Sequence, residues 1–226
     1  MGEMFAMKSI KPFGYSLMGF TAFALLGASD LLSSDVPPGV APGKAELLYA
    51  SAFGNETNRW TVVSGDFRVE SGLFRSRSVT AENKLSRAVI GDGSWRDCAV
   101  EARVKLEQAA DPKADFGVIA RYMDQNNYYM FLYKIEAKTL VIERKLKGKL
   151  KVLAETPIEL GAGKWHDFKC TLTGVNLAVE VDGQKIAKVA DDNFTSGGAG
   201  LLVYWADVSF ARVNVYRAGG DLSDKE

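Results

Sequence analysis

From residue 45 to residue 218, apolar and polar side chains alternate with a period of two in one short segment after another. That period is the mark of strands with one face buried and the other wet. The clearest run covers residues 98–106. Cys98, Val100, Ala102, Val104 and Leu106 fall on one face; Glu101, Arg103 and Lys105 fall on the other. Residues 116–122, 140–145, 151–155, 166–173, 177–181, 200–205 and 208–216 also read as strands. Residues 128–135 are apolar on both faces, which predicts a strand whose outer side is covered as well. Turn chemistry separates the runs at 91–93, 124–127, 161–163 and 195–198, and Asp182-Gly183 is a hairpin signal because glycine takes positive φ at no steric cost. No long amphipathic helix follows residue 44. About a dozen short strands at this spacing predict an all-β sandwich or barrel. A body of residues 45–218 suits one sandwich of two large antiparallel sheets.

The first 44 residues have a different pattern. Lys8 and Lys11 precede an uncharged run over 12–29, which Asp30 ends. Residues 1–32 therefore read as a hydrophobic helix that is either a signal peptide or a single-pass membrane anchor. Gly27, Ala28 and Ser29 supply small residues for cleavage. The run also reaches the short end of what spans a hydrocarbon core of roughly 30 Å. The cleavage site is unremarkable, so retention is preferred. Both readings keep the lysines cytoplasmic and export the rest. The domain would then be periplasmic or on the cell surface, anchored through residues 12–32, or secreted if cleaved. Residues 33–44, with Pro37, Pro38, Gly39, Pro42 and Gly43, read as a semi-extended tether, and 219–226 as a polar tail.

Composition narrows the classes. The 226 residues carry 28 basic and 28 acidic side chains and are 47% hydrophobic. Disorder is excluded, and a nucleic-acid partner is not expected without a basic stripe. One histidine and two cysteines are too few for a zinc cluster, so a metal would be held by oxygen.

The candidate binding residues are Arg121, Tyr129, Tyr133, Tyr204 and Trp205. The core parity of the 116–122 strand is Phe116, Val118, Ala120 and Tyr122, so Arg121 is expected on the opposite face. A planar guanidinium among aromatic rings suits sugars: C–H groups stack on the rings and hydroxyls bond to the fork. Cys98 and Cys170 both fall on apolar parity. They can form a disulfide only if their strands are neighbours; otherwise they are buried free thiols. His166, the single histidine, has no serine or cysteine nearby in sequence to make a triad. No pair of carboxylates meets the geometry of a glycosidase, so no catalytic residue is assigned.

The order of landmarks adds a resemblance. It runs from Phe53 through Trp60–Leu73, Trp95–Ala102, Gly117–Tyr122, Asn126–Phe131, Gly163–His166, Leu177–Gly183 and Asp191–Thr195 to Gly198–Leu201. This order resembles the concanavalin A-like lectin/glucanase superfamily, in the bacterial laminin-G-like branch that includes carbohydrate-binding modules and 3-keto-disaccharide hydrolase-like domains. The resemblance implies a jelly-roll β-sandwich with a concave sheet for ligands, and often a structural calcium at its edge. The calcium is not expected here. Acidic residues usually stand before the opening Phe and after a late one, whereas this chain has Ala50-Ser51-Ala52-Phe53 and Phe210-Ala211-Arg212. The readings in order are a non-catalytic module binding a glycan or partner protein, a membrane-anchored structural accessory subunit of a larger membrane complex, and a keto-disaccharide hydrolase. No cofactor is expected.

Overall fold

The computed structural model describes residues 46–54, 59–91 and 93–218. The hydrophobic segment of 1–32, the 33–44 tether and the 219–226 tail lie outside the described residues. Among the described residues no helix is long and apolar enough to cross a membrane.

The described residues form fifteen strands. The first five are β1 (Leu47–Ser51), β2 (Thr61–Ser64), β3 (Phe67–Glu70), β4 (Leu73–Arg77) and β5 (Leu85–Ile90). Then come β6 (Cys98–Ala109), β7 (Asp115–Asp124), β8 (Asn127–Lys134), β9 (Thr139–Leu146) and β10 (Lys149–Pro157). The last five are β11 (Trp165–Thr173), β12 (Asn176–Val181), β13 (Gln184–Ala190), β14 (Gly198–Tyr204) and β15 (Ala206–Arg217). One sheet of eight strands runs β13-β12-β11-β6-β15-β4-β3, with β1 also against β15; the other, of seven, runs β10-β9-β8-β7-β14-β5-β2. Every pairing is antiparallel.

The alternation read from the sequence sets which side of each strand is buried. Val100, Ala102 and Val104 of β6 pack in one apolar core with Phe116, Val118 and Ala120 of β7. Phe116 and Phe168 meet between the sheets, ring centroids 6.1 Å apart. A second aromatic knot stacks Phe53 on Phe74 at 4.9 Å, with Trp60 and Phe67 beside them. Each such side chain contributes about 1.5–3 kcal/mol by leaving water. A second apolar layer lies on the outer face of the seven-stranded sheet: Ile119, Tyr128, Met130, Leu132, Val141 and Leu202. Strand β8 is therefore buried on both faces, which accounts for its missing polar parity.

Two backbone irregularities position the site. Tyr122 stands opposite Gly198 while Ile119 stands opposite Gly200, so three steps of β7 face two of β14. This is a β-bulge. Arg121 within it has φ 45°, and a Cβ on Gly197 would lie 2.3 Å from the Arg121 carbonyl carbon, so the bulge needs that glycine beside it. The second is Trp205 (φ 49°), the one residue between β14 in one sheet and β15 in the other. Its N–H donates to Lys84 O at 2.9 Å and its carbonyl accepts from Ala110 N–H at 2.8 Å.

The cysteine strands β6 and β11 are neighbours, but Cys170 pairs with Val100 and Cys98 with Leu172. The two cysteines are thus diagonal rather than opposite. Both are buried free thiols. Burial pushes the Cys98 thiol up to about 11 and Cys170 well above its ordinary value.

Candidate functional site

Arg121 is not on the face that parity predicts. The bulge adds a residue after Ala120, so Ala120 and Arg121 both point inward and Tyr122 moves to the outer face with Ile119. The guanidinium is 1% exposed. Nη1 donates to Phe194 O at 2.6 Å, Nη2 donates to Gly174 O at 2.8 Å, and Asp97 lies 3.5 Å from Nη2. Arg121 therefore ties three chain segments together, and no part of its fork is offered to a ligand. Tyr129 and Tyr133 are also inward and fully buried. The Tyr129 hydroxyl donates to Asp191 Oδ1 at 2.6 Å and accepts from Phe194 N–H at 3.2 Å, and the Tyr133 hydroxyl accepts from Leu160 N–H at 3.3 Å. Arg144 closes this network on Asp191 at 2.6 Å. Burial raises Asp191, but the bonds from Tyr129 and Asn193 and the Arg144 charge outweigh it and hold the carboxyl below its ordinary value.

Tyr204 and Trp205 remain near the surface, half-buried and edge-to-face with ring centroids 6.4 Å apart. Tyr204 belongs to a row that crosses five strands on the outer face of the seven-stranded sheet: Leu85, Tyr204, Asp115, Lys134, Thr139. Lys134 Nζ donates to Asp115 Oδ2 at 3.2 Å. It also lies 3.1 Å from Glu143 Oε1. Glu143 stands opposite Met130, so the lysine reaches it by lying along its own strand past Leu132. Asp115 Oδ1 and Thr139 Oγ1 are buried and have no hydrogen-bond partner. Burial pushes the Asp115 carboxyl up to about 6 against the pull of Lys134. Burial lowers the Lys134 ammonium, but Asp115 and Glu143 raise it more.

Further along the same face, Tyr122 and Tyr128 tilt together at 5.6 Å. Arg87 Nη1 donates to the Tyr128 hydroxyl at 3.3 Å and its Nε donates to Ser64 Oγ at 3.1 Å. Between the β6–β7 loop and the β8–β9 turn a shallow cavity of about 310 Å³ opens, lined by Ala109, Ala110, Asp111, Pro112, Ile135 and Glu136. Apolar and aromatic surface with a few fixed polar groups is what a sugar ring requires. Sequence reasoning missed Asp115, Lys134, Thr139 and Glu143. The one available signal was their outward parity beside Phe116, Tyr133, Leu140 and Ile142.

Three acids on the eight-stranded sheet have partners of their own. Asp182 Oδ2 lies 2.7 Å from His166 Nδ1, Glu101 pairs with Lys169, and Glu107 pairs with Lys105. The calcium positions implied by the resemblance do not fit the ion. Ala50, Ser51 and Ala52 hold the first, and at the second Arg212 contacts Asp167 at 3.1 Å.

No protein-family profile matches the chain, and no curated protein matches it by sequence. Solved structures do match. Carbohydrate-binding module CBM66 from Bacillus subtilis superposes with TM-score 0.62 at 19% identity, covering 69% of this chain and 93% of that one. The carbohydrate recognition domain of Emp47p gives 0.62 at 12%, covering 80% and 100%. SCLam, a non-specific endo-β-1,3(4)-glucanase of family GH16, gives 0.58 at 14%, covering 78% and 92%. At these identities the likeness establishes architecture. The chain has the concanavalin A-like jelly-roll fold, two antiparallel sheets in a sandwich.

Proposed function

We propose that the chain is an exported, membrane-tethered, non-catalytic module that recognises a glycan on the outer face of its seven-stranded sheet. The observation that carries this is the row from Tyr204 to Thr139: a half-exposed ring, a charged donor and two buried acceptors without partners, on a sheet already apolar on that side. The architecture it shares with a carbohydrate-binding module and a lectin domain supports the same reading. Export and tethering rest on Lys8, Lys11 and the uncharged run over 12–29.

The likeness to a glucanase raises hydrolysis as well. Asp115 and Glu143 are the only acids that meet on this face among the described residues, and the Lys134 ammonium stands between them. An acid–nucleophile pair needs that space for the scissile bond, so binding is the better reading. A second reading, an accessory subunit of a membrane complex, is favoured by the apolar layer on both faces of β8. In that case a native gel of a membrane extract would show the chain migrating within a larger assembly.

Calorimetric titration of the full chain with a panel of oligosaccharides tests the primary reading. It predicts saturable binding to at least one oligosaccharide without release of reducing ends, and a loss of tenfold or more in affinity for Tyr204→Ala. Absence of heat across the panel would refute it, and turnover would point to the hydrolase.

A further inference from the structure

Two buried acceptors on one row lack the donors that buried oxygens ordinarily find. Asp115 is 7% exposed and Thr139 is 9% exposed. They flank Lys134 directly, one on β7 and one on β9. Lys134 satisfies only Oδ2 of Asp115, and its remaining reach is spent on Glu143. The Lys134 side chain is 31% exposed, so the row has an edge open to solvent. An unmade hydrogen bond of this kind leaves the desolvation of the buried oxygen uncompensated, which a ligand supplying donors would recover.

Charge then decides which donors are accepted. Asp115 and Glu143 outnumber Lys134, and the cavity between the β6–β7 loop and the β8–β9 turn adds Asp111 and Glu136. Lys138 does not offset them, because it is committed to Glu159 at 2.7 Å. A sugar bearing carboxylates or sulfates would meet like charge here, and repulsion of this sort sets specificity more than it sets affinity.

We propose that Asp115 Oδ1 and Thr139 Oγ1 form the specificity subsite of the glycan face, taking hydroxyl or ammonium donors from a non-anionic sugar and rejecting uronic acids. This rests on the glycan-binding reading given above and adds to it the chemical class of the ligand.

The test titrates the full chain with three hexasaccharides: a neutral β-glucan, a glucosamine oligomer and an oligouronate. The neutral or the amino oligomer is expected to bind at least tenfold more tightly than the uronate. Asp115→Asn and Thr139→Val are each expected to weaken that binding tenfold or more and to narrow the gap to the uronate, with far-ultraviolet dichroism confirming that both variants fold. Thr139→Val preserves shape and charge, so it isolates the hydroxyl. Binding that survives in both variants, or a preference for the uronate, would overturn the subsite while leaving glycan recognition standing. No binding to any of the three would remove both.

Discussion

Arg121 shows what a single side chain contributes to this sandwich. From β7 in one sheet it reaches the β11–β12 turn of the other and the 191–197 loop, all at hydrogen-bond distance. Replacing it leaves the buried Phe194 carbonyl without its donor and takes one donor from Gly174 O and from Asp97, which keeps the Gly174 N–H; an orphaned buried acceptor and the cavity left by so large a side chain together cost about 2–5 kcal/mol. Arg121→Ala is therefore expected to lower stability by about 3 kcal/mol or more in urea melts. The fraction that stays folded should keep its glycan affinity, and a selective loss of affinity at unchanged stability would contradict this structural role. Asp115 behaves oppositely. Its carboxyl sits at about 6, above its ordinary 3.8, so the folded state holds the proton more tightly than the unfolded one. The resulting stabilisation is complete below about pH 4 and lost as pH rises through about 6, with Lys134 and Glu143 as the charges that face the group. Asp115→Asn should consequently raise the stability at pH 8, by on the order of 2–3 kcal/mol at most, seen as a higher melting temperature, and raise it much less at pH 4. A lower melting temperature at pH 8 would show that the ionised carboxylate is well solvated. Gaining stability while losing affinity is the trade expected of a binding residue.

At the scale of elements, alternation was sufficient for the strands of the central sheets. The expected runs at 98–106 and 166–173 fall within β6 and β11, and the run at 128–135 matches β8 except for its last residue. Asp182 and Gly183 turn the chain between β12 and β13 with φ of 51° and 78°. Alternation fails where the backbone adds a residue. The single insertion at Arg121 reverses parity from that point, and no side-chain pattern in the 116–122 segment announces it. Edge strands carry their own logic. β10 borders the seven-stranded sheet with Leu150 and Val152 exposed at 64% and 51%, and Lys149 and Lys151 alternate with them. Lysines on an edge oppose pairing with another chain. The double variant Lys149→Thr/Lys151→Val is expected to aggregate on warming, seen as light scattering well below the unfolding transition of the parent. Equal scattering for both proteins would show that the edge is protected in another way.

For the whole molecule, the same sandwich serves binding modules, lectins and hydrolases, so function has to be read from side chains on its faces. Tyr204 and Trp205 were legible as surface aromatics at the end of a strand. The acids and lysine beside them were not, because Asp115, Lys134 and Glu143 are distant in the chain and meet only through the register of β7, β8 and β9. Such a site becomes visible once strands are aligned, and before that its members look like solvated charges. The most direct test of the account is a map of backbone amide shifts in the folded chain as a neutral oligosaccharide is added. Shifts are expected to concentrate at Tyr204, Asp115, Lys134 and Thr139 and to fade across the opposite sheet. Shifts centred on the outer face of the eight-stranded sheet, or none at saturating sugar, would contradict it.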